Sequence, residues 1–138
     1  MVTKIPVANP AAPDISAVFP WGLRVRQFEE LFFVSGHGDV DAAFRVRHPG
    51  APLAQARAIF QDLLDMLARA DYRLDDVIKI EATVTKDFDL ARNFQPLLAL
   101  WAEVLAEVPV KPSGGVLRVV DALALPGMLI EIEVLAAR

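Results

Sequence analysis

The spacing of apolar and polar positions divides the chain into short segments of two kinds. Leu23-Arg24-Val25-Arg26-Gln27-Phe28 switches at every residue, the period-two mark of a half-buried strand. Glu29-Glu30 would make a turn, and Leu31-Phe32-Phe33-Val34-Ser35 reads as a more buried strand ending at Gly36. Two such runs joined by a short polar pair predict a hairpin. A further short strand is expected near Ala43–Val46, closed by His48-Pro49-Gly50. The period then changes. Leu53, Ala56, Ile59, Phe60, Leu63, Leu67 and Ala70 recur every three or four residues, which predicts a helix from Leu53 to Ala70. Its polar side carries Gln55, Arg57, Gln61, Asp62, Asp65 and Arg69. Val77–Thr85 alternates again, with Ile78, Ile80, Ala82 and Val84 facing one way and Lys79, Glu81, Thr83 and Thr85 the other. A second helical region runs from Lys86 to about Ala106. Asp87 is a candidate cap and Pro96 a kink or a new first turn. Val116–Val120 and Met128–Leu135 read as strands, the second setting Glu131 and Glu133 between Ile130, Ile132 and Val134.

The order β-β-(β)-α-β-α-β-β predicts one α+β domain over residues 1–138. Its mixed sheet would carry two helices packed on one face and hairpins at both ends. Residues 1–20 hold four of the ten prolines and read as an extended lead-in. With both helices on one side, the other sheet face stays uncovered and carries Lys79, Glu81, Thr83 and Glu131. Composition adds to this. Apolar residues make up 54% of a 138-residue chain, an excess that one domain's surface does not easily hide. Burial against another subunit is the expected outlet.

Charge narrows the function classes. The net charge is −4 and no basic block stands out, so a nucleic-acid footprint is missing. Apolar runs are too short to span a bilayer, and the first residues lack a signal-peptide core. No membrane partner and a cytoplasmic location are expected. With no cysteine, thiol chemistry and thiolate metal sites are excluded. His37 and His48 lack zinc-ligand spacing, so no metal is expected.

From about Pro20 onward the sequence resembles the RidA family, also called YjgF or endoribonuclease L-PSP. The stretches LFFVSGHGDVD, QARAIFQDLLDMLARADYRLDDVIKIEATVTKDFD and LALPGMLIEIEVLAA carry the resemblance, in the family's order and spacing. It implies a chorismate-mutase-like fold and a homotrimer with small-molecule pockets between subunits. It further implies hydrolysis of reactive enamines and imines, such as 2-aminoacrylate, without metal or organic cofactor. In the family an arginine clamps the substrate carboxylate and a glutamate near the last strand serves the attacking water.

Matching residue by residue, Glu131 takes the glutamate's place and is the expected catalytic residue. Ser35 and Gly36 match the loop at the pocket floor. Trp21 stands near a family tyrosine, His37 where many members have glutamine, and Asn93 near a family asparagine. The loop Lys111-Pro112-Ser113-Gly114-Gly115 departs from the pattern, because Gly114 or Gly115 stands where the arginine belongs. Taken alone, that loop reads as a plain turn or as a backbone anion nest. Set against the family, it suggests an arginine-less branch with a wider cleft. Arg118, four residues on, would lie ~13 Å along an extended strand and is a poor substitute. Arg24 and Arg26 are other candidates. Two functions remain open: a cofactor-free hydrolase or deaminase of C=N substrates, and a non-catalytic member that binds a metabolite or partner.

Overall fold

The computed structural model describes residues 2–138. Alternation becomes strand at β2 (Gly22–Arg26), β3 (Leu31–His37), β4 (Val77–Thr85), β5 (Arg118–Val120) and β6 (Ile130–Ala137), and the lead-in adds β1 (Thr3–Val7). The helical period becomes α1 (Pro52–Arg69) and α2 (Leu90–Val104). This is the expected α+β class, with a mixed sheet and two helices.

The strand partners differ from the local prediction. β3, β6, β4 and β5 form one sheet in that order, with β4 and β5 parallel and the other pairs antiparallel. β1 and β2 make a separate antiparallel ribbon, from Thr3 opposite Arg26 to Val7 opposite Gly22. The hairpin expected between the strands at 23–28 and 31–35 is therefore not formed. Gln27 turns the chain at φ 62°, and the Glu29 and Glu30 amides donate to the Arg138 carbonyl at 2.7 and 2.8 Å. That docks the turn on the C-terminus instead of reversing it. Thr3–Val7, within the proline-rich lead-in, takes the vacant partner's place. The C-terminal hairpin is absent too, because β6 enters between β3 and β4.

The strand expected at Ala43–Val46 reduces to a single bridge between Val40 and Val46. Asp41 shapes this loop by accepting from the Ala43 and Arg45 amides. α1 starts at Pro52, where a missing N–H costs nothing. Gln55 falls on its buried face rather than its polar one, with no exposed surface. The capping residue of α2 is Asp89, not Asp87; it sits at φ 55° and accepts from the Arg92 amide. Pro96 lies inside α2 without ending it.

The core fills the space between the helices and one sheet face. Ile80, Ala82, Val84, Ile130, Ile132 and Val134 meet Ile59, Phe60, Leu63, Leu97 and Trp101 there. A register shift between Val77 and Lys79 turns Val77 into the core and leaves Ile78 half-buried. Among the described residues no helix or strand covers the opposite sheet face. Phe33 is 73% exposed and Leu31 40%.

Candidate functional site

Antiparallel pairing of β3 with β6 slips by one residue beside the regular alternation of β6. Val34 faces Val134, but His37 faces Ile132, so three steps on β3 answer two on β6. The extra residue is the bulge at Ser35-Gly36, a device that re-aims neighbouring side chains. A Cβ on Gly36 would stand 2.0 Å from Glu131 Oε1. Only glycine lets that carboxylate lie so close to the β3 backbone. Ser35 and Gly36 are exposed and Glu131 is half-buried on the uncovered face. The structure thus brings Ser35, Gly36 and Glu131 together.

Register across the sheet extends the site. Glu131 faces Thr83 on β4, and Thr83 faces Arg118 on β5. The next row sets Glu81 opposite Glu133. Lys79 Nζ lies 2.8 Å from Glu81 Oε1, and Arg118 Nη1 lies 3.2 Å from Glu81 Oε2. The Lys79 ammonium, the largest influence, holds the Glu81 carboxyl at about 2. Glu133 moves the other way. Its hydrogen bond with Glu81, and the desolvation that comes with that contact, raise it above the ordinary carboxylate value. Two carboxyls this close favour one proton between them.

The loop of serine and two glycines is laid along the sheet edge. Ser113 bridges to Lys79, exchanging backbone hydrogen bonds with Ile78 and Ile80 at 2.9 and 3.0 Å. A Cβ on Gly114 would meet the Phe19 ring at 3.0 Å. Gly115 has φ 54°, and a Cβ there would fall 2.2 Å from Glu81 Cγ. The space at Gly114 that the sequence reading left empty is occupied by Phe19, and that at Gly115 by Glu81.

Other expected residues lie elsewhere. His37 is on the helix side of the sheet; its Nδ1 donates to the Ser35 carbonyl (2.6 Å) and its Nε2 lies 2.9 Å from Met66 Sδ. Trp21 donates to the Pro13 carbonyl at 2.7 Å and lines a groove with β1 residues. Asn93 donates to the Phe88 carbonyl at 2.7 Å, bracing the entry to α2. Arg24 and Arg26 are exposed on β2, in the separate ribbon. Arg118, by contrast, shares the face of Glu131. The 13 Å separation assumed an extended strand from Gly114, but β5 begins only at Arg118.

Sequence reasoning missed the convergence of Lys79, Arg118 and Glu133 on Glu81. Alternation placed Lys79 and Glu81 on one face; which strands flank them was not readable. Among the described residues no group of three or more histidine, aspartate or glutamate side chains is placed to hold a metal ion. No helix among them is long and apolar enough to cross a membrane.

Comparison with known proteins gives a consistent picture. The family model described as Endoribonuclease L-PSP matches residues 12–138. A Yersinia pestis protein of unknown function of the conserved Rid family, YyfB, shares the fold with a TM-score of 0.84, at 20% identity over 98% of each chain. Yeast YEO7 is 25% identical over 99% of each chain, with a TM-score of 0.66. Rv2704 from Mycobacterium tuberculosis, described as a member of the highly conserved YjgF/YER057c/UK114 family, is 25% identical. That match covers 99% of this chain and 100% of the other, with a TM-score of 0.61. No curated protein matches the chain.

Proposed function

We propose, on the premise that this chain belongs to the Endoribonuclease L-PSP (Rid/YjgF) family, a homotrimer that hydrolyses a small imine- or enamine-like molecule in clefts between its subunits. One observation carries the reading: the Glu131 carboxylate rests on Gly36, beside exposed Ser35, at an uncovered sheet face. A carboxylate so placed can take a proton from water as the water oxygen bonds to the C=N carbon. The nitrogen takes up a proton in the same addition. The resulting carbinolamine then loses its hydroxyl proton, the C–N bond breaks, and a carbonyl compound and ammonia leave. Atoms and charge balance with water as the only co-reactant.

The loop at Gly114 and Gly115 bears on which imines fit. Neither position has room for a long side chain, since Phe19 and Glu81 fill the space. The nearest guanidinium on this face, Arg118, is already paired with Glu81. A substrate carboxylate would have to displace Glu81 from it. We therefore place the preferred substrates among bulkier or uncharged imines, with small amino-acid imines poorer by about a hundredfold, the ~2–5 kcal/mol of a lost charged contact.

The same lack of a free clamp supports the second reading, a non-catalytic family member. One assay separates them. 2-Aminoacrylate and longer imines are generated in situ, and carbonyl product is followed with protein and with Glu131→Ala. The hydrolase reading expects a protein-dependent rate, highest for the bulkier imines, that falls at least ~100-fold in the variant. A rate independent of protein for every imine would leave the non-catalytic reading.

A further inference from the structure

On the other side of the sheet from Glu131 lies a hollow of about 200 Å³. Ala82 and Ile132 form its floor, α2 one wall through Phe94, Leu97 and Trp101, and Phe60 of α1 its depth. Phe19 and the Gly114-Gly115 loop close it from outside. Its mouth lies between Phe94 and Leu117, each 38% exposed.

The walls define what could enter. Three phenylalanine rings and an indole present faces and edges; Phe60 and Trp101 already meet edge-on at 6.4 Å. Aromatic rings favour further edge and offset contacts with another ring. The Trp101 N–H is spent on the Val18 carbonyl at 3.2 Å, and the Gly115 amide on Ser113 Oγ at 3.3 Å. Lys79, Arg118 and Glu81 all belong to the opposite sheet face, and the Gly115 backbone separates Glu81 from the hollow. A charged or strongly polar guest would lose its hydration with nothing offered in return. Size fits a single ring, since an apolar protein cavity of about 150 Å³ stays dry and takes up benzene. A ring that fits the hollow gains dispersion contacts along its lining, so binding stabilises the fold.

We infer that this hollow is a second ligand site, within one subunit and distinct from the Glu131 face, for a small uncharged aromatic molecule. Phe19 is its outer wall. The hydrogen bond from Trp101 to Val18 and the edge-on contact of Phe19 with Trp21 (6.4 Å) hold that wall shut. The loop glycines matter here for a reason unrelated to a clamp. A side chain at Gly114 would push Phe19 outward and open the hollow to water.

The test is a titration of the intact protein, methyl-labelled at Leu, Ile and Val, with benzene and separately with benzoate, read by ¹H–¹³C NMR. Benzene should shift Leu97, Leu98, Leu117 and Ile132 methyls saturably, with half-saturation at or below about 1 mM. Melting temperature should rise by a few degrees at saturation. Benzoate should not shift these methyls. Leu98→Phe, which fills the hollow, should abolish the benzene shifts while leaving the methyl spectrum folded. Should that variant not fold, Leu117→Phe at the mouth provides the same comparison. The inference is overturned if benzene shifts are absent or unsaturable. Shifts that survive in the filled variant, that centre on the Leu31 and Leu135 methyls of the opposite face, or that benzoate produces equally well would overturn it too.

Discussion

Gly36 and Gly115 show how much a single hydrogen in place of a side chain decides. At Gly36 the obstacle to a Cβ is the end of the Glu131 side chain, which can swing away. Gly36→Ala should therefore leave the urea midpoint nearly unchanged and lower any imine-hydrolysis rate at least ~10-fold by moving the carboxylate. At Gly115 the obstacle is Glu81 Cγ, close to the backbone and pinned by two cations, and φ is already 54°. Gly115→Ala should destabilise by about 1–3 kcal/mol, read as a lower urea midpoint at fixed protein concentration. Equal effects at the two glycines would contradict this distinction. The sequence exposed part of this. The match of Glu131, Ser35 and Gly36 to a family pattern was visible, and they do come together. That Glu81 and Phe19 fill the room beside Gly115 and Gly114 was not, because nothing local announces a contact from 34 or 95 residues away.

Elements are joined by a few polar side chains whose partners are far off in sequence. Gln55 of α1 donates to the His48 and Gly127 carbonyls and accepts from the Leu129 amide, at 2.9 to 3.1 Å. It thereby ties the helix to the chain entering β6. Gln55→Ala should cost about 3 kcal/mol in chemical denaturation, since buried backbone groups lose their partners. Helical periodicity assigned Gln55 to the solvent side because it reads polarity, not satisfaction. Strand pairing escaped in the same way. Alternation located five of the strands, but not that β6 divides β3 from β4.

That pairing sets up an unusual pH response between β4 and β6. Glu81, held at about 2 by Lys79, contributes stability above its unfolded value of 4.5 and loses it as pH falls from 4.5 toward 2. Glu133, raised by Glu81, contributes in the opposite sense: fully below 4.5, and lost as pH rises through its folded value. Thermal melts should thus show a decline on the acid side and a shallower one on raising pH above 4.5. Glu133→Gln should remove only the second. An unchanged slope above pH 4.5 in the variant would contradict the pairing.

At the scale of the whole molecule, the uncovered sheet face organises the rest. One chain packs both helices on one side and leaves Phe33 and Leu31 exposed on the face that carries the Glu81 cluster and Glu131. The surplus of apolar residues is the ground for expecting a second subunit; composition carries no information about which surface it would cover. The proposed trimer, closed on these faces, would hide them and form the clefts that the proposed chemistry needs. Sedimentation equilibrium tests this most directly, on the natural chain and on Phe33→Glu. The account predicts one species of three times 15.1 kDa, and a variant shifted toward 15.1 kDa by a charge placed in the contact. A natural chain that sediments at 15.1 kDa, or a trimer indifferent to Phe33→Glu, would contradict it.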